Sequence, residues 1–402
     1  MMYKIGDKEI RTVCIIGAGN VGHYLMAFLG SDKDLTVNVF TPRPEGFGDR
    51  VESLNVQTGE VTVGRLGRVS ADPADVIPSA DMILFAVPSN VYQQDLELIW
   101  PFVDEGTVLG FIPGTGGVEF LAYRFIKEKH CAVFGTQRVP SGTKVAERGK
   151  RVNALEKRRD IRIASIPARI NADVCSFIGS TLGIKTVDLT DYLAVTFTPS
   201  NPILHTCRLY GLFHDYQEGD SWDRILSFYK EWSLLSSEML LGCNAELQTC
   251  CRLLDAFDLS QVASLTEHYE IWTAPGETDA ERMTNKIRSL LYMKDNAPMC
   301  ANAEGRYVPD FSTRYFTEDF PFGLAILRDF CDACGVEAPY MDRVLSWFDR
   351  QCKAGLYVDG KFVGPGKKLL PLPSNYGLTS KQAIVDFYTA LREGKPVGFE
   401  CK

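Results

Sequence analysis

The chain has no run of about 18 apolar residues, the length a bilayer-spanning helix needs, and its first residues, Met1-Met2-Tyr3-Lys4-Ile5-Gly6-Asp7, lack the apolar stretch of a secretory leader. No membrane-spanning helix is therefore expected, and a cytoplasmic location is expected. A dense Lys/Arg tract is missing too, and the net charge is −8, which argues against a nucleic-acid partner. One segment is locally basic: Lys144, Arg148, Lys150, Arg151, Lys157, Arg158 and Arg159. It reads as a solvated hairpin, or as a patch that attracts an anionic ligand. Histidine is scarce, with five in 402 residues, so the search for a proton carrier working near neutral pH is short. Cysteine is not scarce. The twelve cysteines, in a reducing compartment, read as core thiols and not as bridges. Cys331-Asp332-Ala333-Cys334 has no second pair and no histidine at finger spacing, so no metal set is expected.

What is present begins with Val13-Cys14-Ile15-Ile16-Gly17-Ala18-Gly19-Asn20-Val21-Gly22. A short apolar run ends in a three-glycine turn, followed by apolar residues at helical spacing (Val21, Leu25, Met26, Leu29). Strand, glycine turn and helix together form the dinucleotide-binding fingerprint. Gly17 permits the turn, Gly19 lets the backbone approach a pyrophosphate, and Gly22 lets the helix pack on the strand. Asn20 and Val21 open a helix whose free N–H groups favour phosphate.

The first half of the chain alternates strand and helix patterns. Strands are read at Leu35 to Phe40, Asp81 to Ser89, Thr107 to Ile112, Cys131 to Thr136, Ile161 to Ala164 and Lys185 to Val187, with a hairpin around Thr58-Gly59. After about Leu189 helical patterns take over: Trp222 to Cys243, Ala245 to Phe257, Asp279 to Tyr292, Glu318 to Cys334, Pro339 to Cys352 and Ser380 to Arg392. The expected class is α/β: a Rossmann-type, doubly wound, mostly parallel sheet in residues 1–189 and an all-helical domain in 190–402. Small-ligand sites commonly lie in clefts between such domains, and an active site is expected there.

NAD-binding folds place an acid at the end of the second strand, where NADP binders use an arginine. Here the strand ends Val39-Phe40-Thr41-Pro42-Arg43. Thr41 could donate to a 2′-phosphate and Arg43 could pair with it, which favours NADP(H). Alternatively Arg43 stacks on adenine and leaves NAD(H) open. Among the histidines, His23 reads as a helix-surface residue, His130 as a helix end, and His214 and His268 as surface or packing. His205 follows Thr198-Pro199-Ser200-Asn201-Pro202, where Ser200 or Asn201 could cap a helix opening with Pro202. It is either a proton-transfer residue or a buried structural histidine. A second cluster is Arg314-Tyr315-Phe316-Thr317-Glu318-Asp319-Phe320-Pro321-Phe322-Gly323-Leu324. Thr317 looks like an N-cap with Glu318 and Asp319 in the first turn. The acids either complement the helix dipole or orient the histidine, with Arg314 aimed at a carboxylate; spacing alone does not decide.

At these residues the chain resembles the opine dehydrogenase family, on the glycine turn, on Asn201-Pro202-Ile203-Leu204-His205, and on the segment from Arg314 to Leu324. The resemblance spans nearly the whole chain. It implies NAD(P)H-dependent reductive condensation of an amino acid's amine with a 2-oxo acid, through an imine, to a secondary amine. It also implies that His205 transfers a proton and that Asp319 is its charge partner, since a carboxylate fixes an imidazole's tautomer. Arg314 would bind a substrate carboxylate. Gly114 and Thr115 would lie near the nicotinamide and the oxo acid, and Val87 and Pro88 would wall the cofactor cleft. One departure is Arg138, in Thr136-Gln137-Arg138-Val139-Pro140, where a small polar residue is expected. It is either a second cation for the oxo acid or a salt-bridge residue. Ketopantoate reductases and 3-hydroxyacid or glycerol-phosphate dehydrogenases share the architecture but usually donate a proton from lysine, and Lys185 and Lys230 fall in no motif. The expected partners are small molecules; a homodimer is left open.

Overall fold

The computed structural model describes residues 3–271, 276–290 and 296–397. They divide into two compact units, one of residues 3–196 with 386–397 and one of 197–385. Among the described residues no helix is long and apolar enough to cross a membrane.

In the first unit the strands are β1 (Tyr3–Ile5), β2 (Lys8–Ile10), β3 (Thr12–Ile16), β4 (Thr36–Phe40), β5 (Arg50–Asn55), β6 (Val61–Arg65), β7 (Val69–Ser70), β8 (Met82–Phe85), β9 (Val108–Phe111), β10 (Ala132–Thr136), β11 (Ser141–Glu147), β12 (Arg151–Lys157), β13 (Ile161–Ile166) and β14 (Thr186–Asp188). The helices are α1 (Asn20–Leu29), α2 (Tyr92–Ile99), α3 (Val118–Leu121), α4 (Tyr123–Lys129), α5 (Asn171–Leu182) and α6 (Leu193–Thr196). Eight strands form one sheet in the order β14-β13-β10-β9-β8-β3-β4-β7. All neighbours run parallel except β10 and β13. Its central strands are apolar along their whole length, as strands covered on both faces must be: every residue of β8 and of β9 is buried. A second sheet, β11-β12-β5-β6, joins the hairpin of the basic segment to the hairpin around Thr58-Gly59. Its β12 and β5 run parallel, with Arg151 opposite Glu52.

The second half of the C-terminal helix (Lys381–Glu393) returns to this unit. It is held by a wholly buried acid. Glu119, in α3, accepts from Thr196 Oγ1 at 2.6 Å and from the Tyr388 hydroxyl. Burial pushes its carboxyl pKa upward, against those two hydrogen bonds.

The second unit is mainly helical: α7 (Ser200–Phe213), α8 (Leu234–Leu253), α9 (Leu265–His268), α10 (Asp279–Ser289), α11 (Arg314–Thr317), α12 (Ala325–Ala333) and α13 (Pro339–Cys352). Two short hairpins interrupt it, Met299–Ala301 with Tyr307–Pro309 and Tyr357–Val358 with Lys361–Phe362. The helices expected over Trp222 to Cys243 and Ala245 to Phe257 are instead one helix, α8. It starts where the Ser233 hydroxyl accepts the Ser236 N–H at 3.1 Å, while Trp222 pairs with Tyr307 in a β-bridge. It runs through Gly242, where a Cβ would fall 2.2 Å from the Tyr340 ring. The helix expected to Tyr292 is described only to Ser289, and residues 291 and 292 lie outside the described residues.

Candidate active site

The unit 1 residues singled out from the sequence stand at the C-terminal ends of adjacent parallel strands, the edge where open α/β sheets bind ligands. Gly17 follows β3, Thr41 follows β4, Val87 and Pro88 follow β8, Gly114 and Thr115 follow β9, and Arg138 follows β10. Gly17 has φ +101, and a Cβ on it would meet Val87 Cγ1 at 2.5 Å. A Cβ on Gly22 would lie 2.0 Å from Gly17 O, so glycine alone allows α1 to sit this close to β3. A Cβ on Gly19 would meet nothing within 4 Å. The turn is thus tight behind and open in front, a cradle that fits a pyrophosphate. Val21 packs against the core, and Asn20 Oδ1 accepts the Val145 N–H at 2.8 Å. Gly114 is gripped at both ends: its N–H donates to Thr136 O at 2.8 Å, and its carbonyl accepts from Tyr192 Oη at 3.0 Å. Thr115 and Arg138 are half-buried.

Two side chains beside the turn, His23 and Arg148, depart from what the local sequence suggests. His23 is fully buried and not on the helix surface. Its Nδ1 lies 2.9 Å from Gly19 O, and its Nε2 accepts the Gly149 N–H at 2.9 Å. The neutral Nδ1–H tautomer satisfies both, and burial, with Arg148 nearby, lowers the ring's pKa. Its helical position is local information, but the hairpin tip that covers it lies 126 residues away. Arg148 donates to Thr41 Oγ1 at 3.3 Å and to Arg43 O at 2.8 Å. Only the basic character of segment 144–159 hinted at it.

In unit 2, α7 begins at Ser200, next to Pro199, with no side-chain cap. Pro202 therefore falls in the first turn, where no N–H is needed. His205 projects from the second turn, and its Nδ1 lies 2.9 Å from Asp319 Oδ2. The two side chains are 14% and 7% exposed, so water screens the pair poorly.

Asp319 reaches this place through an irregular helix. Thr317 is not an N-cap; it closes the short helix α11. The next turn, Phe320–Leu324, is π-helical, with the Leu324 N–H reaching Asp319 O at 2.9 Å. Pro321 has no N–H to continue the ordinary ladder. Gly323 then lies against Pro202, where a Cβ would sit 3.1 Å from its ring, and this brings the first turn of α7 alongside.

Aromatic rings frame the histidine. Tyr315 and Phe228 meet it edge-on at 4.9 and 5.6 Å and stack on each other at 5.1 Å. The fully buried Arg208, one turn along α7, donates to Ser227 O at 3.0 Å and to Phe228 O, and so fixes that wall. Arg314 is exposed, with its Nε 3.2 Å from Glu318 Oε2. Among the described residues no group of three or more His, Cys, Asp or Glu could hold a metal ion.

Residues 188–352 match the family model for the alpha-helical domain of NAD/NADP octopine/nopaline dehydrogenase. Through this unit the chain is similar to the octopine/nopaline dehydrogenases. An opine dehydrogenase from Haliotis discus hannai is 26% identical over 405 residues, covering 93% of this chain and 98% of the relative. A solved octopine dehydrogenase with NADH and L-arginine has a TM-score of 0.80 at 22% identity, covering 97% of this chain and all of the other. The NADP+-bound yersinopine dehydrogenase has a TM-score of 0.63 at 16% identity, covering 86% and 91%. These two likenesses concern the fold shared across opine dehydrogenases of different cofactor content.

Proposed function

We propose that the protein is an opine dehydrogenase that joins the amine of an amino acid to a 2-oxo acid and reduces the resulting imine, with NADP(H) as the preferred cofactor. The observation that carries the reading is the His205–Asp319 pair at 2.9 Å, in a helical unit similar to that of the family that uses this chemistry. When bound, the reduced nicotinamide supplies the hydride. Gly17, Gly19, Asn20, Val21, Gly22 and Gly114 would hold the cofactor, with Val87 and Pro88 as its wall and Thr41 and Arg43 at its ribose.

His205 keeps Nδ1–H on the Asp319 carboxylate, which leaves Nε2 as the atom that exchanges protons. In the condensing direction, the amine adds to the oxo carbon, and the protonated Nε2 gives its proton to the departing hydroxyl, so that water leaves. In reverse, Nε2 activates that water. The Asp319 carboxylate stabilises the imidazolium in both directions. Arg314 would exchange its ion pair with Glu318 for a substrate carboxylate, in fork geometry. Thr115 and Arg138 are assigned to the oxo acid, the extra cation suiting a more acidic or larger one.

The reading is tested by following oxidation of NADPH and NADH with amino acids paired against pyruvate, 2-oxoglutarate, oxaloacetate and glyoxylate, each with single-substrate controls. Oxidation only when amine and oxo acid are both present is the expected result. Oxidation with an oxo acid alone would overturn it and make the protein a simple 2-oxo acid reductase.

A further inference from the structure

In a dinucleotide-binding fold the ribose 2′ position is read at the end of the second strand of the fingerprint unit. Here that strand is β4, and Thr41 stands at its end. Thr41 is buried, and its hydroxyl oxygen already accepts from the Arg43 N–H at 3.4 Å and from Arg148 Nη2 at 3.3 Å. A ribose 2′-hydroxyl is usually held by a carboxylate at this place, and among the described residues no carboxylate bonds to Thr41, Arg43 or Arg148. What is offered is a guanidinium from a residue 107 positions away. Arg148 spans from the strand end to the glycine turn, with Nη1 3.4 Å from Ala18 O and Nη2 2.8 Å from Arg43 O.

The charge on Arg148 is not neutralised. Its hydrogen-bond partners are two main-chain carbonyls and one hydroxyl, and no carboxylate pairs with it among the described residues. Arg43, exposed two residues beyond Thr41, forms no ion pair among the described residues either. Two arginines without counter-charges at one strand end suit a dianion, and the planar guanidinium matches phosphate oxygens in pairs.

The hairpin that carries Arg148 is built to hold it still. The Gly149 N–H is fixed by His23 Nε2, the Val145 N–H by Asn20 Oδ1, and Lys150 O by the Glu52 N–H at 2.8 Å. Arg151 pairs with Glu52 at 2.6 Å. Gly149 has φ +75, and a Cβ there would fall 2.5 Å from Gly46 O, so only glycine lets the tip close on the loop after β4. A cation fixed in advance costs little to order when the ligand arrives.

We propose that Arg148, delivered by the β11–β12 hairpin, is the residue that reads the 2′-phosphate of the adenosine ribose and sets the preference for NADP(H). The assignment rests on the NADP(H) reading above. It gives the locally basic hairpin a function, and it makes Arg43 the auxiliary cation and Arg148 the principal one.

The test is calorimetric titration of the wild-type protein, Arg148→Ala and Arg148→Lys with NADPH, NADH, adenosine 2′,5′-bisphosphate and AMP, with no turnover involved. Wild type is expected to bind NADPH at least about tenfold tighter than NADH. Arg148→Ala should lose roughly 10- to 100-fold for NADPH and for the bisphosphate, the range for a charge-assisted hydrogen bond, and stay within about threefold for NADH and AMP. Arg148→Lys, which keeps the charge without the fork, should recover only part of the loss. Retention of NADH binding shows that the variants are folded. If Arg148→Ala leaves NADPH affinity unchanged, or weakens NADPH and NADH equally, the role of Arg148 is overturned while the wild-type preference stands. If wild type itself shows no preference for NADPH, the NADP(H) reading and the role of Arg148 fall together.

Discussion

Replacing His23 with leucine removes a bridge between the glycine turn and the hairpin tip, and its cost follows from the two bonds the ring makes. The Gly149 N–H is buried and has His23 Nε2 as its acceptor at 2.9 Å. Leucine fills the space but accepts nothing, and an unpaired buried donor costs about 1–3 kcal/mol. Gly19 O fares better, because it keeps the His23 main-chain N–H at 3.0 Å. Losing the ring as its second donor costs about 0.5–1.5 kcal/mol. Together the loss is about 1.5–4.5 kcal/mol. At about 2–4 °C per kcal/mol for a unit of this size, the transition of the first unit should fall by roughly 3–18 °C in scanning calorimetry at neutral pH.

The same ring predicts a pH dependence. Burial first, and Arg148 second, lower its pKa in the native state, whereas an unfolded chain protonates histidine near about 6.5. Below that pH the unfolded state binds the extra proton. The stabilisation is therefore complete above about pH 6.5 and is lost as pH falls toward the native-state pKa, at up to about 1.4 kcal/mol per pH unit. The leucine variant lacks this slope, so the gap between the two proteins should narrow in acid. A leucine variant within about 0.5 kcal/mol of wild type, or one with an unchanged acid slope, would refute the reasoning.

Three further outcomes follow from the same structure. His205→Ala should cut kcat strongly while NADPH affinity, measured by titration, stays close to wild type; Asp319→Asn, which can present an amide N–H in place of an acceptor, should lower kcat by roughly 10- to 100-fold, and a wild-type rate in either variant would remove the pair from the chemistry. Arg314→Ala should raise KM for a carboxylate substrate by about tenfold with kcat little changed, and an unchanged KM would take Arg314 out of substrate binding. Burial raises the pKa of Glu119, so wild type loses stability as pH rises above the unfolded carboxyl value of about 4.3. Glu119→Gln carries no such proton, and its melting temperature relative to wild type should climb between about pH 5 and pH 8; a constant difference would show that Glu119 is ionised in the native state.

The parts of the fold legible in the sequence are those written locally. Strand β3, the glycine turn and α1 are set by an apolar run, by Gly17 at a φ that other residues rarely adopt, and by apolar spacing at the helical period. Helix α13 announces itself with Pro339 in its first turn and an apolar face. Legibility fails where tertiary packing overrides local pattern. Trp222 to Trp232 has helical spacing, yet Trp222 is taken up by a bridge to Tyr307 and the Trp232 ring is fully buried. Thr317 has the look of an N-cap, yet Phe320–Leu324 adopts a π-turn packed on Pro202, so the helix that matters starts later.

The sequence by itself determined the fingerprint turn, the alternation of strand and helix in the first half and the helical character of the second, because each is a matter of backbone conformation and spacing within a dozen residues. It also narrowed the chemistry to a few side chains, since only five histidines were available. The tertiary structure alone decided which of them meet. His205 finds Asp319 across 114 residues, His23 is closed over by a glycine 126 residues away, and Arg148 arrives at Thr41 across 107. No local period encodes such distances. They follow from which strands pair and which helix faces pack, and so from the burial of the whole chain.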